Sequence, residues 1–141
     1  MLTKDDLVAI SDKIRDAERM TSGEIRVYVA KRCNNDPLEE AVRVFERLEM
    51  HKTALRNGVL IYVSPADHKM AIYGDEGINE KQGNPAFWQE ALALMTPYFQ
   101  EEKIKEGICV GVEKVGKLIK EIYPVAADDI NELDNDVIVE E

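Results

Sequence analysis

Asn57-Gly58-Val59-Leu60-Ile61-Tyr62-Val63-Ser64-Pro65-Ala66-Asp67-His68-Lys69-Met70-Ala71-Ile72-Tyr73 is the stretch on which the fold turns. Val59 to Val63 is an unbroken apolar run rich in β-branched and aromatic side chains, the composition of a strand covered on both faces. Ser64 to His68, with Pro65 inside it, reads as a loop, and Lys69 to Tyr73 resumes strand-like sequence, so the pair is expected to form a hairpin. Upstream, Glu24 to Ala30 alternates, with Ile25, Val27 and Val29 on one side and Arg26 and Tyr28 on the other. This predicts the first strand. Between the first two strands, Asp36-Pro37 opens a helix whose buried face is marked by Leu38, Ala41, Phe45 and Leu48. A helix crossover of this kind sets the strands it joins parallel, so the sheet is mixed.

Farther out, Thr3 to Met20 reads as a helix with Leu7, Ile10, Ile14 and Ala17 on one face; Thr3 and Asp6 form a capping-box variant, and Ser22-Gly23 ends the helix. After Gly74-Asp75-Glu76-Gly77 comes a short helical segment around Ile78 to Lys81. Asn84-Pro85 opens a helix carrying Phe87, Trp88, Ala91, Leu92 and Met95, which Pro97 is expected to kink or end. A last helix spans Lys103 to Ile122, with Ile104, Ile108, Val115, Leu118 and Ile122 as its apolar face. Its Gly107 and Gly111, one turn apart, suggest close packing on the sheet. Helices enough for both faces of a small mixed sheet give an α/β three-layer α/β/α sandwich over residues 1–122. Residues 123–141 read as an acidic, disordered tail.

The 141 residues suit one domain with one substantial core. The net charge is −10. Eight of the 28 acidic residues and none of the bases fall in Glu121–Glu141, so the body before them carries only −2. Its bases are interspersed among acids, which argues against nucleic acid as a partner. No apolar run approaches the ~20 residues that span a bilayer, and no basic start with an apolar core marks a secretory signal, so a cytoplasmic location with no membrane partner is expected. Cys33 and Cys109 lack companions at metal-ligand or disulfide spacing and read as reduced, inert thiols.

Motifs for phosphate loops, dinucleotide binding, the nucleophile elbow and the zinc-protease helix are absent. His51 and His68 are far apart and read as surface or capping residues. The acidic residues are more informative. With strands one and two parallel and strand three antiparallel, Asp36 and Asp67 follow the strand ends at one edge of the sheet, and Asp75 emerges at the other. That second edge also receives Glu24, Lys52, Thr53, Arg56 and Asn57, with Glu76 following Asp75. Carboxylates, amide oxygens and carbonyls suit a hard cation such as Ca²⁺ or Mg²⁺, although no twelve-residue calcium loop is present. The structural alternative pairs Glu24 with Arg56 or Lys52 and makes Asp75 a helix cap.

The same residues carry a resemblance. Thr21-Ser22-Gly23-Glu24-Ile25-Arg26, His51-Lys52-Thr53, Arg56-Asn57-Gly58-Val59-Leu60-Ile61-Tyr62 and Gly74-Asp75-Glu76-Gly77-Ile78-Asn79 together resemble the TPM domain family. Its relatives include thylakoid-lumen proteins of photosystem II repair and a modulator of acetylcholine receptors. Phe87-Trp88, Pro97-Tyr98-Phe99 and Glu106-Gly107-Ile108 extend the resemblance over roughly residues 5 to 120. It implies a Rossmann-like α/β/α sandwich, divalent-cation binding in some members and acid phosphatase activity in the plant ones. Many relatives carry a signal peptide, a membrane anchor or a Gly-rich tail, and a role in membrane repair does not carry over without them.

The resulting expectation is a soluble, Ca²⁺- or Mg²⁺-binding TPM-like domain with an accessory or stress-related role. Asp75, Glu76, Glu24 and Asn57 are its first-choice ligands, Asp36 and Asp67 the rivals, and Lys52, Thr53 and Arg56 the surrounding polar cluster. Two alternatives stand beside it: a metal-assisted phosphatase, in which Lys52, Arg56 and Asp75 supply parts of the chemistry, and a module whose acidic tail meets a protein partner.

Overall fold

The computed structural model describes residues 2–82, 86–125 and 135–140. The chain opens with α1 (Lys4–Glu18), whose N-cap Thr3 forms the expected reciprocal capping box with Asp6, and continues into β1 (Glu24–Val29). Helix α2 (Pro37–Arg47) follows, then β2 (Gly58–Ser64), a 3-10 turn over Pro65–Asp67, and β3 (Lys69–Gly74). Three helices, α3 (Glu76–Lys81), α4 (Gln89–Gln100) and α5 (Ile104–Lys120), precede a short β4 (Ile138–Val139). The sheet order is β3-β2-β1-β4, with β1 parallel to both β2 and β4 and β2 antiparallel to β3.

Side chains alternate across the sheet, as strand geometry requires. Ile25, Val27, Val29, Val59, Ile61, Val63 and Ile72 face a core closed by α1, α4 and α5. Tyr28, Leu60, Tyr62 and Ala71 face α2, through Ala41, Val44 and Phe45. All seven residues of β2 are buried, because helices cover both faces of this central strand. The result is the expected α/β/α sandwich.

Several expectations change. Leu38 is 47% exposed, because α2 buries only the stripe of Ala41, Val44 and Phe45 that reaches the sheet. Pro97 lies inside α4 and does not end it: the helix continues to Gln100, while Thr96 Oγ1 donates to the Leu92 carbonyl at 2.8 Å. Gly107 and Gly111 pack against α4, not the sheet; a Cβ on either would come within 2.5 Å of Phe99 or Met95. The helix start expected at Asn84-Pro85 lies outside the described residues. So does much of the presumed tail, residues 126–134, but its end departs from the expectation. Ile138 and Val139 pair with Tyr28 and Val29, and Ser11 Oγ donates to the Asn135 carbonyl at 3.1 Å. The β-branched Val137-Ile138-Val139 finds a strand edge there whose backbone groups it can satisfy.

Candidate functional site

One edge of the sheet gathers the start of β1, the start of β2 and the end of β3, since Glu24 stands opposite Gly58 and Val59 opposite Gly74. Asp75 is the pivot. Its backbone N–H donates to the Gly58 carbonyl at 2.9 Å, and its extended backbone makes it the N-cap of α3. Oδ1 accepts the Glu76 N–H at 2.7 Å. The side chain is only 2% exposed, and burying a carboxylate so deeply requires compensation. Arg56 provides it: Nε and Nη2 donate to Oδ2 and Oδ1, each at 2.8 Å, a bidentate fork. Nη1 lies 3.3 Å from Glu76 Oε2. Hydrogen bonding to Asp75 is the main reason the Arg56 guanidinium holds its proton more firmly than usual. Burial, followed by the charge of Asp75, pushes the Tyr73 hydroxyl above its ordinary pKa.

Local backbone sets this geometry. Arg56 has φ 51°, in the left-handed region, and its carbonyl accepts the Gly77 N–H at 2.8 Å. Next to it, Asn57 is 2% exposed, donating from Nδ2 to the Ser22 carbonyl at 3.0 Å and from its backbone N–H to Thr53 Oγ1 at 3.3 Å. Asn57 Oδ1 is buried with no hydrogen-bond partner among the described residues. Glu24, 3% exposed, starts β1 with its N–H on the Asn57 carbonyl at 3.2 Å. Lys52 pairs with Glu49 at 3.2 Å, and Arg56 forms the fork on Asp75 and reaches Glu76. The helix-cap alternative for Asp75 is what the structure holds.

The rival carboxylates at the far edge are engaged differently. Asp67 accepts the Cys33 N–H at 2.6 Å, Arg32 through Nε at 3.2 Å and Nη2 at 2.9 Å, and Ser64 Oγ at 3.4 Å. The Cys33 N–H bond, with Arg32 behind it, holds its carboxyl below the usual range. Asp36 precedes α2 as N-cap without a side-chain cap bond.

A hard cation takes six to eight oxygens. The Asp75 edge offers the orphaned Asn57 Oδ1 and the oxygens of Glu24, Asp75 and Glu76, but Arg56 already stands on Asp75. Among the described residues no three His, Cys, Asp or Glu side chains converge into a ready metal cage. The oxygens at this edge are of the kind a hard cation takes, and Arg56 occupies those of Asp75. Cys33 and Cys109 are free thiols, and burial raises the Cys109 pKa, which disfavours its thiolate. His68 closes the hairpin at φ 53°, 3.6 Å from Glu102 Oε1.

Sequence reasoning placed Arg56 beside Asp75 without assigning the fork between them. It missed a second constellation entirely. Tyr28 donates its hydroxyl to Glu140 Oε2 at 2.5 Å, Lys31 N–H donates to Glu140 Oε1 at 3.0 Å, and Arg47 Nη2 donates to the Tyr28 oxygen at 2.9 Å. The only signal for it was the β-branched triplet in an acidic tail.

The strand order and this polar edge define a small α/β/α domain with a carboxylate-centred rim. A family model described as the TPM domain matches residues 1–118, and the chain belongs to that family. It is similar to the NMR structure of the BA42 protein from the psychrophilic bacterium Bizionia argentinensis, at 41% identity and TM-score 0.91 over 99% of this chain and 96% of that one. Two more distant likenesses show the fold alone. The N-terminal domain of the cg2496 protein from Corynebacterium glutamicum has 13% identity and TM-score 0.66, covering 100% of this chain and 81% of that one. An N-terminal domain from P. gingivalis has 15% and 0.68, covering 86% and 78%. No curated protein matches the chain. No helix among the described residues is long and apolar enough to cross a membrane.

Proposed function

We propose that this TPM domain binds a hard divalent cation, Ca²⁺ or Mg²⁺, at the Asp75 edge, in an accessory role. The observation that carries the reading is Asn57 Oδ1, a buried acceptor with no hydrogen-bond partner among the described residues, beside two nearly inaccessible carboxylate residues, Glu24 and Asp75. A buried polar atom without a partner costs about 1–3 kcal/mol, and a cation or its bound water would satisfy it. Asn57, Asp75, Glu24 and Glu76 would hold the ion, whose charge would replace the one that Arg56 supplies. Arg56 is 40% exposed, so a guanidinium displaced from Asp75 would turn into solvent.

Thermal melts with and without Ca²⁺ test this. A cation at a hundred times its dissociation constant stabilises by about 2.7 kcal/mol. Asp75→Asn is expected to abolish the Ca²⁺-induced shift and Asp67→Asn to retain it. Arg56→Gln is expected to enlarge it, since the competing guanidinium is gone. A shift that survives Asp75→Asn and disappears with Asp67→Asn moves the site to the far edge. No shift with millimolar Ca²⁺ or Mg²⁺ ends the cation reading.

A further inference from the structure

Between the buried Thr53 and Asn57 the chain crosses the Asp75 edge as a short strap, Ala54-Leu55-Arg56. Apolar burial does not hold the strap down, since Leu55 is 56% exposed. Polar ties do, and they meet at the start of α3. The Arg56 carbonyl accepts the Gly77 N–H at 2.8 Å, the Leu55 carbonyl accepts the Tyr123 hydroxyl at 3.5 Å, and the Arg56 guanidinium forks onto Asp75 and reaches Glu76. The first two are single bonds between neutral groups, whereas the fork is a pair of charge-assisted bonds at 2.8 Å and is the strongest of these ties. The Gly77 N–H lies in the first turn of α3, where no carbonyl of the helix can receive it, so the strap supplies its partner.

The strap is also held in a conformation that its own sequence opposes. Arg56 has φ 51°, and a residue with a Cβ enters the left-handed region about five- to thirtyfold less readily than the right-handed one. Arginine lacks the short polar side chain with which Asn or Asp offsets that cost by bonding to nearby backbone. The ties that keep Arg56 in place therefore work against its backbone, and the strongest of them depends on an Asp75 carboxylate open to the guanidinium.

We propose that residues 54–56 form a spring-loaded strap, latched by the Arg56–Asp75 fork, and that release of the fork lets Arg56 return to an ordinary backbone and lifts the strap from α3. The trigger rests on the reading of the Asp75 edge as a cation site: an ion that claims the Asp75 carboxylate opens the latch. Lifting the strap uncovers the Gly77 N–H and the hydroxyl of Tyr123, a residue only 6% exposed with the strap closed, and it moves Leu55. Occupancy of a buried site is thereby displayed on the surface of the molecule.

Amide hydrogen exchange of the full chain, followed in ¹H–¹⁵N spectra, reads the strap at Gly77. The Asp75 amide, which donates to the Gly58 carbonyl at 2.9 Å, serves as the reference. Without metal, Arg56→Gln removes the fork and keeps the strained backbone, and its Gly77 amide is expected to exchange at least about fivefold faster than in wild type, relative to Asp75. Arg56→Gly removes fork and strain together, and its Gly77 amide is expected to exchange at least about threefold more slowly than in Arg56→Gln. Saturating Ca²⁺ is expected to speed Gly77 exchange in wild type about as much as Arg56→Gln does. Unchanged Gly77 exchange in Arg56→Gln overturns the latch, and equal rates in the two variants overturn the spring. If Ca²⁺ raises the melting temperature of wild type yet leaves Gly77 protected, the ion does not open the strap and the trigger is wrong. If Ca²⁺ leaves the melting temperature unchanged, the cation reading alone fails, and the metal-free comparison of the two variants still decides the strap.

Discussion

A methyl group on Gly77 would lie 2.3 Å from the Leu55 carbonyl oxygen and 2.6 Å from that of Arg56, and neither backbone atom can yield. The glycine is required by this close approach, since its φ is not positive. It lets Arg56 keep its carbonyl on the Gly77 N–H while its guanidinium reaches Asp75. Gly77→Ala is therefore expected to cost about 3 kcal/mol, read from chemical denaturation, and to loosen the fork. A variant as stable as wild type would show that the α3 start shifts freely and that the Asp75 geometry is not fixed by its neighbours. At this scale the sequence was partly legible. Gly74-Asp75-Glu76-Gly77 announced a tight polar turn, but the fork of Arg56 on Asp75 comes with a left-handed backbone at Arg56. Nothing in the local sequence marks that conformation.

Among the elements, β1, β2, β3 and the helices around them were legible because each carries its own period, and β2 declares its double burial through unbroken apolar composition. β4 was not legible, because a two-residue strand has no period to read and its partner lies 110 residues away. The glycines of α5 were visible, but which neighbour they approach is a tertiary choice between α4 and the sheet. The placement of β4 has an energetic consequence: removing residues 135–141 is expected to lower the melting temperature by several degrees, since Ile138 and the Glu140 clasp are lost. An unchanged transition would mean the segment adds nothing to the fold. The clasp also carries a pH signature. The Tyr28 hydrogen bond chiefly, and then the Lys31 N–H, holds the Glu140 carboxyl below its ordinary range. A depressed native pKa gives stability that is present above the unfolded value, about 4.3, and is lost as pH falls through the lower native one. The Lys31 amide resonance should report a midpoint below about 4.3, and a midpoint at or above it would contradict the clasp.

For the whole molecule, the sandwich leaves two polar rims at opposite ends of one sheet, built by different means. At the Asp75 end, strand starts and a tight turn bury carboxylates that need positive charge. At the other end, Asp67 is tied to Arg32 and the Cys33 N–H, while Glu140 is held by Tyr28 and Lys31. The net charge of −10 is divided unevenly, with −2 before Glu121 and −8 from Glu121 to Glu141. Topology could be read early because one parallel and one antiparallel connection fix which residues share an edge. Which edge takes a ligand is decided by side-chain partners that no pattern reveals. The most direct measurement is a ¹H–¹⁵N titration of the full chain with Ca²⁺ and Mg²⁺. Saturable shifts confined to the amides around Ser22–Glu24, Thr53–Gly58 and Gly74–Gly77 are expected. Saturable shifts around Cys33, Asp36 and Asp67, or none at millimolar cation, would contradict the Asp75 site.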